Sequence, residues 1–186
     1  MTSIDSSQTV ANELLAIRCQ LGEASAFDEL VERWHGPLWN YIRRMLRDES
    51  VAEEVHQEVW LKILRGIDRL REPERLIPWM FSIARITVLD RLRSRYAESV
   101  EVPLAEELQA DESEPVIEIG ESELLHDALE GLPLIDREAI ALFYLRELSL
   151  NEVAAVLEIP VGTVKSRLHR ARTLLRKKLV DQGVTR

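Results

Sequence analysis

The sequence predicts an all-α protein: two small helical domains joined by a flexible acidic linker, the second containing a helix-turn-helix. Three observations carry this. Apolar residues recur at helical spacing in both halves of the chain, and no alternating β-branched run leads into a turn dipeptide. Residues 97–121 hold nine Asp or Glu, two prolines and no Lys, Arg or aromatic residue, which is the composition of a linker. Downstream, Ser149-Leu-Asn-Glu152 is a capping box, followed by a turn at Glu158-Ile159-Pro160 and a longer helix from Val161. The 186 residues therefore divide into 1–96, 97–121 and 122–186.

Taken in order, helices are predicted near 9–21, 23–46, 50–67 and 78–96. Gly36-Pro37 is placed to bend or split the second, because proline lacks an N–H and crowds the preceding turn. Pro78 suits the first turn of the fourth, where a missing N–H costs nothing. The second block has helices predicted near 122–130, 134–147, 150–157 and 161–179, with Pro133 again near a start. Ala154 is the small residue at which two helices can cross closely.

Composition excludes several classes. At 46% hydrophobic residues the chain is not wholly disordered. No apolar run approaches the roughly 18 to 20 residues of a membrane span. The stretch MTSIDSSQTVANELL lacks the basic and apolar parts of a secretory signal, so the expected location is cytoplasmic. A single cysteine, Cys19, permits neither an internal disulfide nor a cysteine cluster, and the four histidines lack ligand spacing. No phosphate-cradling glycine loop is present, so no cofactor and no metal are expected. Glu54 and Glu58 share a helix face with no apolar pocket to separate their pKa values, so nothing supports an enzyme.

The net charge of −9 conceals segregation. Without residues 97–121 the chain has 24 acidic and 24 basic residues, while 159–180 holds seven Lys or Arg and no acid. On the last helix Val164, Leu168, Ala171, Leu175 and Leu179 fall within an arc of about 80°. Gly162, Thr163, Ser166, His169 and Arg170 point away from it, flanked by Lys165 and Arg167. Small residues, hydroxyls and cations in that order suit a major groove. For Arg176, Lys177 and Lys178, interaction with the helix dipole is an equal explanation.

On the third helix Val51, Val55, Val59, Trp60, Ile63 and Leu64 form a broad apolar side. Glu54, Gln57, Glu58, Leu61 and Arg65 occupy the opposite one, which reads equally as a docking patch or a solvated face. The fourth helix carries Arg85, Arg91, Arg93 and Arg95 against Asp90, suited either to solvent or to a phosphate backbone. Trp79, Phe81 and Ile83 read as core ahead of the alternative, base-stacking groups.

Together these segments resemble a bacterial extracytoplasmic-function (ECF) sigma factor from about Ala26 to Leu179. AFDELVERWHGPLWNYIRRMLRDESVAEEVHQEVWLKIL and IPWMFSIARITVLDRLRSR are similar to the two halves of sigma region 2. LPLIDREAIALFYLRELSLNEVAAVLEIPVGTVKSRLHRARTLLRKKL is similar to region 4, with GTVKSRLHRAR its most specific part. The resemblance implies core RNA polymerase and promoter DNA as partners. Glu54, Gln57, Glu58 and Leu61 would dock the β′ clamp helices, and the β flap would be a further contact. The loop near 70–78 and the helix start, with Arg75, Leu76, Arg85 and Ile86, would trap the melted minus-ten element. Gly162, Thr163, Lys165, Ser166, Arg167, His169 and Arg170 would bind the minus-thirty-five duplex. An anti-sigma factor is a possible partner by the same resemblance. The family usually has asparagine after the arginine of the IAR segment, and here Ile86 stands there, so the minus-ten preference does not transfer.

Promoter elements roughly 17 to 20 base pairs apart lie about 60 Å from each other. A linker of 25 residues reaches about 80 Å, which suffices. Its carboxylates suit a basic nucleic-acid channel of polymerase, or a plain solvated tether. An ordinary helix-turn-helix regulator and a helical adaptor are the alternatives from other classes. The first half argues against a regulator, since it lacks a phosphoacceptor pattern and a ligand-pocket signature.

Overall fold

A computed structural model of the chain describes residues 3–96, 128–129, 131–144 and 148–181. The described helices are α1 (Ser3–Gln20), α2 (Ala24–Met45), α3 (Glu49–Gly66), α4 (Leu76–Tyr96), α5 (Leu134–Tyr144), α6 (Leu150–Leu157) and α7 (Val161–Asp181). Short 3-10 turns at Ile67–Arg69 and Pro73–Arg75 lead from α3 into α4. No strand occurs among the described residues. The linker at 97–121 lies outside them, as does the helix expected at 122–130 apart from Ala128 and Leu129, which are helical and buried.

α1 begins earlier than its apolar period suggested and ends at a turn where Gly22 adopts φ 79°, a left-handed conformation that suits glycine. The Gln20 amide then donates to the carbonyls of Ile67 (3.0 Å) and Leu70 (2.7 Å), tying α1 to the turn after α3. α2 buries Ala26, Leu30, Trp34, Leu38, Tyr41, Ile42 and Met45, a 3–4 spacing that makes one continuous stripe. Pro37 does not split this helix. A mid-helix proline costs about 3 kcal/mol. Burial of Trp34, Leu38 and Tyr41 on both sides of it, at roughly 1.5–3 kcal/mol for each large side chain, offsets that loss. Phe81 of α4 meets Trp34 and Tyr41 edge to face at 6.3 and 5.9 Å.

Asp48 caps α3 by accepting from the Val51 N–H at 3.2 Å. Val55, Val59 and Ile63 are buried as expected, but Leu64 is 40% exposed and His56 lies inside instead. The wheel explains the exchange: Leu64 is about 100° from Ile63, whereas His56 is about 20° from it.

In the second block the capping box is complete. Ser149 Oγ accepts from the Glu152 N–H at 3.3 Å, and the Ser149 N–H donates to Glu152 Oε2 at 2.6 Å. α6 ends at Glu158, whose φ of 57° and ψ of 41° turn the chain toward α7. Val164, Leu168, Ala171 and Leu175 are buried, and Leu179 packs half-buried on the same core. The two blocks do more than share a chain. α2 packs on α5, and α4 packs on α6.

Candidate nucleic-acid interface

The N-terminal half of α7 presents Gly162 and Lys165 to solvent, with Thr163, Ser166, Arg167 and His169 half-buried around them. A side chain added at Gly162 would meet nothing within 4 Å, so its use is open approach rather than internal fit. The Ser166 hydroxyl donates to the Thr163 carbonyl at 3.0 Å. His169 Nδ1 is buried without a hydrogen-bond partner among the described residues. Arg170 is placed differently from its neighbours. Its Nε and Nη2 donate to the fully buried Asp136 of α5 at 2.8 and 2.7 Å, which ties α7 to α5.

The cations of the first block are split. Arg75 is exposed and pairs with Glu72 at 2.6 Å. Leu76 is fully buried at the first position of α4, beside Ile77 and Met80 in the core, so it supports the preceding turn from below. Ile86 is 55% exposed. Arg85 reaches across to the second block, where its Nε donates to Glu138 Oε1 at 2.7 Å. Burial pushes the Glu138 carboxyl above its ordinary pKa, opposed by Arg85 and by the charge of Arg167. Beside it burial raises the Tyr41 phenol, and the Glu138 charge adds to the effect.

The opposite face of α3 keeps Glu54, Gln57 and Leu61 exposed and Glu58 half-buried. Glu54 pairs with Arg91 at 2.9 Å and Glu58 with Lys62 at 2.7 Å, so both carboxylates are held in place by cations. Behind this face the Trp60 indole N–H donates to His56 Nε2 at 3.1 Å. Burial first, then the nearby His35, lowers the His56 pKa to about 4. The deep acids Asp136 and Glu138 were missed by sequence reasoning. The available signal was two carboxylates within a short apolar helix.

No group of three or more His, Cys, Asp or Glu suited to a metal occurs among the described residues. No described helix is long and apolar enough to cross a membrane.

Residues 30–98 match the family model for Sigma-70 region 2, and residues 122–175 match that for Sigma-70, region 4. A Bacillus subtilis protein, ECF RNA polymerase sigma factor SigW, is 33% identical over 172 residues, covering 86% of this chain and 92% of that protein. The chain belongs to the ECF sigma factors. An Escherichia coli K12 relative, ECF RNA polymerase sigma-E factor, is 30% identical over 185 residues, covering 93% of this chain and 96% of its own length. Among solved structures, the sigma factor RpoE of Bartonella quintana, crystallised with the anti-sigma factor NepR, aligns with a TM-score of 0.68. It is 24% identical, covers 83% of this chain and 96% of its own, and has the same fold. The sigma factors are a family of non-catalytic transcription initiation factors, and membership supports promoter-specific initiation by RNA polymerase.

Proposed function

We propose that this sigma factor divides the work of initiation between its two blocks, residues 1–96 and 122–186, with 97–121 as the connecting linker. The α3 face of Glu54, Gln57, Glu58 and Leu61 docks the β′ clamp helices of core RNA polymerase, and the second block meets the β flap. A leucine rimmed by paired carboxylates and an amide supports this, because an apolar anchor within a polar rim is how docking patches are built. The turn at Arg75 and the exposed Ile86, with Arg85 once it is released from Glu138, hold the melted minus-ten strand. Leu76 supports that turn from the core.

The minus-thirty-five duplex is read by α7. The observation that carries this reading is the exposed start of α7, with Gly162, Thr163, Lys165, Ser166, Arg167 and His169 following a complete capping box and a left-handed turn. Arg170 positions this helix through Asp136. A regulator acting without polymerase would bind its duplex alone, whereas this reading requires core enzyme. An anti-sigma factor is a fitting further partner, because the relative of the same fold was crystallised with one. Reconstitution with bacterial core polymerase and a promoter library tests the whole. Transcripts should start only from a subset of fragments and only when the protein is present. Failure to associate with core enzyme, or unselective initiation, overturns the proposal.

A further inference from the structure

Resting on that reading, we propose that Gln20, on a helix outside both interfaces, is a positioning residue for strand capture. It sets the shape of the turn at 67–75, and so decides how tightly and with which bases the melted minus-ten strand is held. The Gln20 Nε2 donates to the Ile67 carbonyl at 3.0 Å and to the Leu70 carbonyl at 2.7 Å, residues 47 and 50 positions away in sequence. Two carbonyls accept only from the nitrogen side of an amide, so the side chain has one orientation here and both its hydrogens are used. Ile67 and Leu70 close a single 3-10 turn, in which the Leu70 N–H also donates to the Ile67 carbonyl at 3.1 Å. The glutamine bridges the two ends of that turn and joins them to α1.

Gln20 is itself held in place. Leu15, Ala16 and Cys19 are buried along α1. Arg18 donates to Glu29 of α2 at 2.7 Å, and Arg33 of α2 donates to the buried Asn12 at 3.1 Å. Links made in both directions keep α1 from rotating about its axis. At its end the Gly22 N–H donates to the Cys19 carbonyl at 2.9 Å and the Glu23 N–H to the Arg18 carbonyl at 3.2 Å. That pair of bonds closes the last helical turn, in which Gln20 stands.

Beyond the bridged turn the chain runs along the surface. Arg71, Glu72, Glu74 and Arg75 are exposed and Pro73 is half-buried, between the buried Leu70 and the buried Leu76. A segment of this kind takes its course from its ends. Leu76 anchors one end through the core, and Gln20 anchors the other through hydrogen bonds. An extruded base must find its pocket already shaped, and a binding site tolerates only about 0.5 Å of displacement. The docking side chains of α3 and the exposed start of α7 stand on other elements, so Gln20 serves strand capture and not the other two contacts.

The test uses the full chain with core polymerase. Its probe is a single strand carrying the minus-ten element of a promoter that the unaltered holoenzyme selects from the library. Gln20→Leu keeps the approximate size and donates nothing, whereas Gln20→Lys supplies donors again at the same place. Gln20→Leu should weaken capture of the strand about tenfold and broaden the bases accepted at the minus-ten positions. Binding to core polymerase, and holoenzyme affinity for a closed minus-thirty-five duplex, should stay within about twofold. Gln20→Lys should recover most of the lost capture. Unchanged capture and base preference in Gln20→Leu overturn the inference. An equal loss of core binding overturns it too, since the whole block would then have loosened, and so does a Gln20→Lys chain no better than Gln20→Leu. If the unaltered holoenzyme selects no promoter, the proposed function falls and the positioning role with it. If it does select promoters and Gln20→Leu behaves alike, the positioning role alone falls.

Discussion

Arg170 and Asp136 form a two-pronged ion pair between α7 and α5, with Nε–Oδ2 at 2.8 Å and Nη2–Oδ1 at 2.7 Å, and the carboxylate has no exposed surface. Arg170→Ala would leave that buried charge unpaired, which costs about 3–5 kcal/mol. Chemical denaturation should report the loss in the transition of the second block. Arg170→Met with Asp136→Leu should lose much less, because both charges go together. A purely base-reading arginine would leave stability within about 0.5 kcal/mol, so the two roles separate cleanly.

Leu61 is 51% exposed, so about half of its surface is open to a partner. Leu61→Ser should leave the melting temperature almost unchanged while weakening core polymerase binding about tenfold or more, as truncation of a central interface anchor does. Titration of labelled protein with core enzyme measures it.

Lys165 lies exposed at the start of α7. Lys165→Ala should weaken holoenzyme binding to cognate and unrelated duplex alike and reduce the slope of log affinity against log salt by about one. Loss confined to the cognate sequence would mean that the lysine reads a base instead.

His56 must be neutral to accept from Trp60, and its pKa of about 4 lies below the ordinary 6.5. Between those values the unfolded chain binds more protons than the folded one, so stability rises with pH across that window and falls on acidification. The contribution is roughly 2–3 kcal/mol. Denaturation at pH 7 and pH 4.5, with Trp60 fluorescence as the probe, should show the loss in the native chain and a smaller one in His56→Gln.

Ser149→Ala removes the acceptor for the Glu152 N–H and should destabilise the second block by about 1 kcal/mol. Hydrogen exchange at the first turn of α6 should accelerate before that of α7.

The helices that bury a regular stripe were legible because the backbone period alone determines which side chains share a face. α2, α4 and α7 follow that rule, and so do the capping box and the turn before α7. Local rules failed where packing outweighed them. Pro37 stays inside an unbroken α2, and Leu64 yields the interior to His56. Of the expected strand-binding residues, Leu76 is covered by its own block and Arg85 by the other. Spacing cannot distinguish an arginine waiting for DNA from one already held by a carboxylate elsewhere in the chain.

Read without coordinates, the chain already determined its helical class, its division into two blocks, the family it resembles and the exposure of Gly162 and Lys165 on α7. These are properties of residues close together, where 3.6-residue periodicity and capping chemistry act. Tertiary structure alone decided that Asp136 and Glu138 would take up Arg170 and Arg85. Those partners meet only when helices distant in sequence pack, and a buried carboxylate must find its cation wherever the packing puts one.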